Sequence, residues 1–517
     1  MTDGPATERS SADDADQLIP VSTRGVQTAL GWSFVMNGAR LASTLGTAFL
    51  LASVLGPEAF GTVALALLFI AFVQVLIEQG VIPAIVQRPG LTWRHLDSAY
   101  WMALLFSLVM VAICCAISPW WASVNDTPDA KVAIWALSTL VVLKGLVVVQ
   151  EATLHRALRY RDLAIRTTAA SVLGAIVGIV WALVAPSIWA LVAQQIVTAV
   201  VAAVVIWLIV DWRPHWRFRR ADARDLLPFA FKSTLSSVGV FVNSRIDALL
   251  IGVFFGATAI GLYQLSYRLV AAVIETTVLP IAGVALADLS RSLSDRERLA
   301  ERYRSLSAAA FVIGAPVLAT VFVCAEPLME VVGDEWSAAA PALQLLTIVG
   351  LVSIVGMVNS PALQAAGHPG AQAWIVWFGA VVSAVSFVGV GLLLEDSGTA
   401  DQVLGMAASR AVVSVVFLLP ISQWLVARFV GVSVFAFLRS VGPPIIVCAV
   451  AASLGLLVQV PLVEIGLASA VVLVIAAMTT LATAATLLLL TDVNARNLVA
   501  QVAERIPGAK RLIRPRA

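Results

Sequence analysis

Eleven ionisable residues stand inside long apolar runs of this 517-residue chain. The cations are Arg40, Lys144, Arg166, Lys232, Arg245, Arg268 and Arg410; the acids are Glu78, Glu151, Asp247 and Glu275. A charge near the centre of a bilayer costs roughly 3 kcal/mol on insertion scales, so such residues face a protein interior or a wet cavity. Arginine presents phosphate oxygens with a flat fork of donors and stays charged at any accessible pH. Seven cations against four acids therefore suit a phosphorylated, anionic cargo. An acid that moves between a dry and a cation-rich setting changes its proton affinity, which is what coupling an ion to a conformational change requires. Catalytic and metal chemistry find no comparable support. The histidines His95, His155, His215 and His368 are scattered, and Cys114, Cys115, Cys324 and Cys448 sit in apolar runs without metal-ligand spacing. With no Ser/His/Asp set and no Gly-rich phosphate loop either, neither an enzyme nor a cofactor is expected.

The neighbours of these charges place them on polar helix faces. Ser33, Asn37, Arg40, Thr44 and Thr47 recur at steps of four, three, four and three, one stripe on one face. Lys232, Ser236, Asn243 and Asp247 form a second stripe; Gln264, Arg268 and Glu275 form a third, and Gln74 with Glu78 a fourth. The substrate-binding candidates are Arg40, Arg245, Arg268, Arg410, Lys144, Lys232, Asn37 and Asn243. The ion-coupling candidates are Glu78, Glu275 and Asp247. Plainer roles compete with these. Arg166 lies within three residues of the inner end of its run and is expected to snorkel to the interface, as Lys232 also can. Lys144 and Glu151, seven apart on one face, can pair with each other or with a neighbour. Glu78 and Glu275 can serve as structural partners of buried arginines.

The elements that must position these residues are membrane spans. Hydrophobic residues make up 60% of the chain and charged residues 12%, about half the charge of a soluble protein. Runs able to cross about 30 Å of hydrocarbon are placed at 26–54, 61–85, 98–120, 131–152, 164–185, 188–210 and 226–254, then at 259–285, 305–328, 338–362, 371–394, 402–427, 441–460 and 465–490. Pro83 and Pro280 are kink candidates near helix ends. Arginines cluster after the even-numbered spans, as at Arg156, Arg159 and Arg161 or Arg213, Arg217, Arg219, Arg220 and Arg224. The opposite connections hold Lys131 alone among acids such as Glu58, Asp129, Glu326, Glu330, Asp334 and Glu335. By the positive-inside rule both termini are cytoplasmic.

A repeat relates the two halves. Ile77-Glu78-Gln79-Gly80-Val81-Ile82-Pro83 returns as Ile274-Glu275-Thr276-Thr277-Val278-Leu279-Pro280, and Gly56-Pro57-Glu58-Ala59-Phe60-Gly61 as Gly256-Ala257-Thr258-Ala259-Ile260-Gly261. Six spans, an even number, separate the copies, so the repeat is parallel, with its pseudo-axis along the membrane normal. The expected fold is an all-α polytopic membrane protein. It has 14 transmembrane helices, in two pseudo-symmetric six-helix bundles plus two extra C-terminal helices. The segments are a cytoplasmic tail 1–25, unlike a secretory signal; an N-lobe 26–210; a basic cytoplasmic linker 211–225; a C-lobe 226–427; helices 13 and 14 at 428–490; and a basic cytoplasmic tail 491–517 that can lie on the inner leaflet.

Several motifs in order resemble one family. Leu55-Gly56-Pro57-Glu58-Ala59-Phe60-Gly61 is similar to the first outer turn of the Wzx-type polysaccharide flippases. The likeness continues through Val86-Gln87-Arg88, Leu96-Asp97-Ser98-Ala99-Tyr100-Trp101 and Asp247-Ala248-Leu249-Leu250-Ile251-Gly252. It extends through Gly261-Leu262-Tyr263-Gln264-Leu265-Ser266-Tyr267-Arg268-Leu269 to Gly333-Asp334-Glu335-Trp336. The resemblance covers about 26–430 and is nearest the colanic-acid-exporter-like branch, in the superfamily that also holds multidrug and toxin extrusion antiporters and lipid II flippases. It implies two bundles in a V, alternating access, and passage of an undecaprenyl-diphosphate-linked oligosaccharide to the outer face of a bacterial cell membrane. Implied partners are the lipid-linked glycan, a proton or sodium ion, membrane lipids and polysaccharide assembly proteins, with no nucleic acid. A multidrug antiporter is the alternative; an exporter of organic cations would favour an acidic cavity over this cationic one.

Overall fold

A computed structural model describes residues 26–491 and Arg496, except Pro89, Asp126, Leu158, Arg217 and 292–294. For 26–44 and a few later positions, Lys232 and Ser236 among them, it describes the backbone only. Among the described residues every regular element is helical and none is a strand. Among the described residues twelve helices are long and apolar enough to cross a membrane. Their outer faces carry side chains such as Leu183, Leu208 and Leu393, which are 70%, 77% and 82% exposed. In water such faces would be sticky patches; against lipid they are the solvated surface.

Two helices are far longer than one passage. α1 runs Val26–Gln87 and α7 runs Arg220–Thr277, 62 and 58 residues, each made of two helical segments. Each is broken at one glycine of the repeated turn. Gly56 has φ 73° and ψ 171°, and Gly256 has φ 76° and ψ −167°. A side chain at that positive φ would clash with its own backbone, whereas glycine adopts it freely. The two turns meet within the first unit, and they do so reciprocally. A Cβ on Gly61 would stand 1.8 Å from the carbonyl oxygen of Ala257, and one on Gly261 would stand 2.1 Å from that of Pro57.

The chain divides into two compact units, the first ending at Gly261 and the second starting at Leu262. The division falls inside α7, beyond the basic segment 211–225. In the first unit follow α2 (Trp93–Val124), α3 (Pro128–Leu137), α4 (Thr139–Arg156), α5 (Tyr160–Val184) and α6 (Ile188–Ile209). α5 and α6 approach closely because Gly174 and Gly178 sit one turn apart on α5. A Cβ on Gly174 would lie 1.9 Å from Thr198 Oγ1, and one on Gly178 2.9 Å from Gln194 Cβ, the small-residue contact typical of membrane helices. The open carbonyls at the end of α1 are met by Arg156, which donates to the oxygens of Ile85 and Arg88 at 2.8 Å.

The second unit holds the end of α7, then α8 (Leu279–Ser290), α9 (Arg296–Val323), α10 (Ala325–Val332), α11 (Ala340–Ala365) and α12 (Pro369–Leu393). After these come α13 (Thr399–Val412), a π-helical stretch Val413–Leu418, α14 (Leu419–Phe429), α15 (Val434–Glu464) and α16 (Ser469–Thr491). Asp295 caps α9 by accepting from the N–H groups of Glu297 and Arg298. α15 and α16 pack against α9, with Val323, Cys324 and Ala476 in one cluster and Val447 and Leu488 in another. The two repeat prolines behave differently. Pro83 lies inside the second segment of α1, whereas Pro280 occupies the first turn of a new helix, α8, where its missing N–H costs nothing. The amphipathic tail beyond Thr491 lies outside the described residues, apart from Arg496.

Candidate functional site

The first unit gathers four of the ionisable residues into one chain of ion pairs. Lys144 and Glu151 stand two turns apart on α4 and therefore share a face. Lys144 Nζ donates to Glu151 Oε2 at 3.0 Å and also pairs with Glu78 Oε1 from α1. Glu151 Oε1 in turn takes Arg166 Nη1 of α5 at 3.2 Å. The side chains of Lys144, Glu151 and Arg166 are only 12–14% exposed, and that of Glu78 is 33% exposed. Two carboxylates and two cations cancel formally; removing one leaves a net charge in the bundle. Arg166 was expected to snorkel. It turns inward instead, because Glu151 lies within reach and an ion pair in low dielectric outweighs escape to the interface.

A cavity of about 310 Å³ opens beside this network, among α1, α4, α5 and α6. Gln74, Arg166, Thr167, Ser171, Gln195 and Thr198 supply its polar wall, and Leu67, Ile70 and Ala170 are among its apolar residues. Next to Glu151, the fully buried amide of Gln150 has neither its nitrogen nor its oxygen hydrogen-bonded, and the Nε of Arg166 is likewise without an acceptor.

The remaining candidates are placed as follows. Asp247 is buried at 2% exposure and accepts from the N–H of Ala248 at 2.8 Å. Asn243 and Arg245 on the same helix are half-buried, as are Arg268 and Arg410 in the second unit. Glu275 is exposed near the end of α7, and among the described residues it makes no ion pair. The side chains of Asn37, Arg40 and Lys232 lie outside the described residues. The second unit has a polar network of its own that spacing did not single out. Tyr303 of α9 donates to Asn359 Oδ1 of α11 at 2.6 Å, and Gln423 of α14 donates to the Tyr303 oxygen at 3.5 Å. All three are buried. An Asn and a Gln in otherwise apolar runs were the signal for it.

A family model described as "Polysaccharide biosynthesis protein" matches residues 50–341. The succinoglycan biosynthesis transport protein ExoT of Rhizobium meliloti is 24% identical over 410 residues, which are 79% of this chain and 81% of that one. The lipopolysaccharide biosynthesis protein WzxC of Escherichia coli is 25% identical over 329 residues, 63% of this chain and 67% of that one. Among solved structures, the lipid II flippase MurJ in an inward closed conformation superposes with a TM-score of 0.70 at 12% identity, covering 92% of this chain and 99% of its own. That likeness shows a common fold.

Proposed function

The chain belongs to the polysaccharide biosynthesis protein family, and we propose that it carries an undecaprenyl-diphosphate-linked oligosaccharide from the inner to the outer leaflet of a bacterial cell membrane, for cell-surface or exopolysaccharide synthesis. The observation that carries this reading is the match, along more than three fifths of the chain, to transport and biosynthesis proteins of surface glycans. The cationic excess within the spans supports it physically. A charged, hydrated headgroup must pass the bilayer centre while its polyprenyl tail stays in lipid, and a water-filled cleft lined by guanidinium groups lowers that barrier.

In this reading α1 and α7 each make two passes, broken at Gly56 and Gly256, so the twelve apolar helices supply fourteen crossings; both termini are cytoplasmic. The lobes are 26–210 and 226–427, joined by 211–225. Arg40, Arg245 and Arg268, with Arg410 and Lys232, hold the diphosphate, while Asn37 and Asn243 offer neutral hydrogen bonds to it or to the first sugar. Lys144 is already shared by two carboxylates and acts on the cargo only when one of them releases it. Transport alternates access between the two faces and draws on a proton or sodium gradient through Glu78, Glu275 or Asp247. Coupling requires the ion to bind the two states with different affinity; tight binding alone shifts nothing.

The test is transfer of a labelled polyprenyl-diphosphate oligosaccharide across proteoliposomes holding the purified protein. Arg268→Ala is expected to abolish transfer with normal membrane insertion. Full transfer by an Arg40→Ala/Arg245→Ala/Arg268→Ala variant would remove the cationic cleft from the mechanism. Export of organic cations in place of the glycan would identify an antiporter.

A further inference from the structure

We propose that the described residues of the strap joining α6 to α7, 211–216 with 218 and 219, together with Arg220 at the start of α7 and the adjoining groove on α6, form a binding site for an anionic phospholipid. The strap reads Asp211-Trp212-Arg213-Pro214-His215-Trp216-Arg217-Phe218-Arg219-Arg220, an alternation of basic and aromatic residues. It is fastened to the start of α2. Trp101 Nε1 donates to the His215 carbonyl at 2.8 Å, the His215 N–H donates to Asp97 Oδ1 at 3.1 Å, and the Arg219 N–H donates to Ser98 Oγ at 3.2 Å. The Trp216 ring stacks on Trp101 with centroids 4.4 Å apart. So held, Trp216 is still 89% exposed. A large ring fixed in place and left uncovered at a helix end is the pattern of an indole seated among lipid headgroups.

The groove supplies the rest of the site. Ala203, Val204, Trp207, Leu208 and Arg213 line about 440 Å³ along the last turns of α6, an apolar trough with a guanidinium at one end. Arg213 donates to the carbonyls of Trp207 at 2.6 Å and Trp212 at 3.0 Å, and also to that of Val210. Its guanidinium lies 5.3 Å from the Trp207 ring centre. These acceptors are neutral, so they fix the cation without cancelling its charge. Among the described residues no carboxylate pairs with Arg213, Arg219 or Arg220; Asp225 pairs with Arg88, and Asp97 is buried and accepts from the His215 N–H. Arg213 is separated in sequence from Arg219 and Arg220, and its donors are already committed to carbonyls. That arrangement suits the diffuse attraction of a bulk phosphodiester headgroup better than the bidentate grip a diphosphate invites. One acyl chain would lie in the trough. The inference rests on the reading that α6 ends at the membrane interface, and it is independent of which cargo is moved.

Native mass spectrometry of the full-length protein, released from micelles containing phosphatidylglycerol and phosphatidylcholine, tests it. The protein is expected to retain phosphatidylglycerol in preference. Arg213→Gln/Arg219→Gln/Arg220→Gln should weaken that retention on the order of 100-fold at low salt, from about fivefold per cation. Because Arg213 also caps α6, the Arg219→Gln/Arg220→Gln pair is measured beside it and should lose most of the effect with the fold intact. High salt should release phosphatidylglycerol from the unaltered protein and leave phosphatidylcholine unmoved. Equal retention of the two lipids, or retention unchanged in the pair variant, would overturn the proposal. Displacement of phosphatidylglycerol by an equimolar polyprenyl diphosphate would also overturn it, in favour of a cargo entry site. Glycan transfer measured on the same variants keeps failure here distinct from failure of the transport reading.

Discussion

The two compact units place polar groups inside apolar helices with different chemistry. In the first, Glu78, Lys144, Glu151 and Arg166 form an ionic chain across α1, α4 and α5. In the second, Tyr303, Asn359 and Gln423 join α9, α11 and α14 without a formal charge. A neutral phenol–amide network fixes helices and has one state. An ionic chain also fixes helices, but one added proton or one incoming phosphate changes its balance, and Lys144 must then choose between partners. The units therefore differ in what they can sense. The repeat carboxylates differ in the same direction, since Glu78 is tied to Lys144 while Glu275 stands exposed.

The comparison can be broken first at Lys144. Lys144→Ala strands Glu78 and leaves Glu151 with Arg166 alone, and should cost about 3–5 kcal/mol, read as a large fall in the unfolding temperature of the purified protein in detergent. Adding Glu78→Gln, which removes the one negative charge left in excess and keeps Glu151 paired with Arg166, should recover much of that loss. If Lys144→Ala unfolds like the unaltered protein, the ionic chain is not structural. Tyr303→Phe should cost less, about 1–3 kcal/mol, because it leaves buried amide groups unsatisfied but no charge; a larger loss than that of Lys144→Ala would reverse the ranking of the two units. The smallest effect on stability is expected at Glu275→Gln, within about 0.5 kcal/mol for an exposed site, against a measurable loss for Glu78→Gln through Lys144. Any slowing of glycan transfer by Glu275→Gln is then a functional effect, and transfer should also depend less on the ion gradient. Unchanged gradient dependence would exclude Glu275 as the coupling group.

Much of this was legible in the chain. Apolar runs separated by charged turns gave the helices, and the paired Gly56 and Gly256 turns broke α1 and α7 where the repeat placed them. The seven-residue spacing of Lys144 and Glu151 announced their pairing, because two helical turns restore the same face. The inward turn of Arg166 was not legible, since it depends on α5 lying beside α4, a tertiary neighbour that no local pattern encodes. Nor did periodicity isolate Tyr303, whose partners come from helices far along the chain. The close approach of α5 and α6 was written in Gly174 and Gly178, but small residues four apart are common enough in apolar runs to pass unremarked.

The reciprocal seating of Gly61 against Ala257 and of Gly261 against Pro57 has a consequence for descent. Duplicated segments ordinarily drift apart, each absorbing substitutions on its own account. Here each turn is the mould for the other's backbone, so a methyl gained in one copy can be accommodated only by retreat of its counterpart. A substitution at either glycine is therefore a change to both turns at once, since the side chain gained by one stands where the other's carbonyl already is.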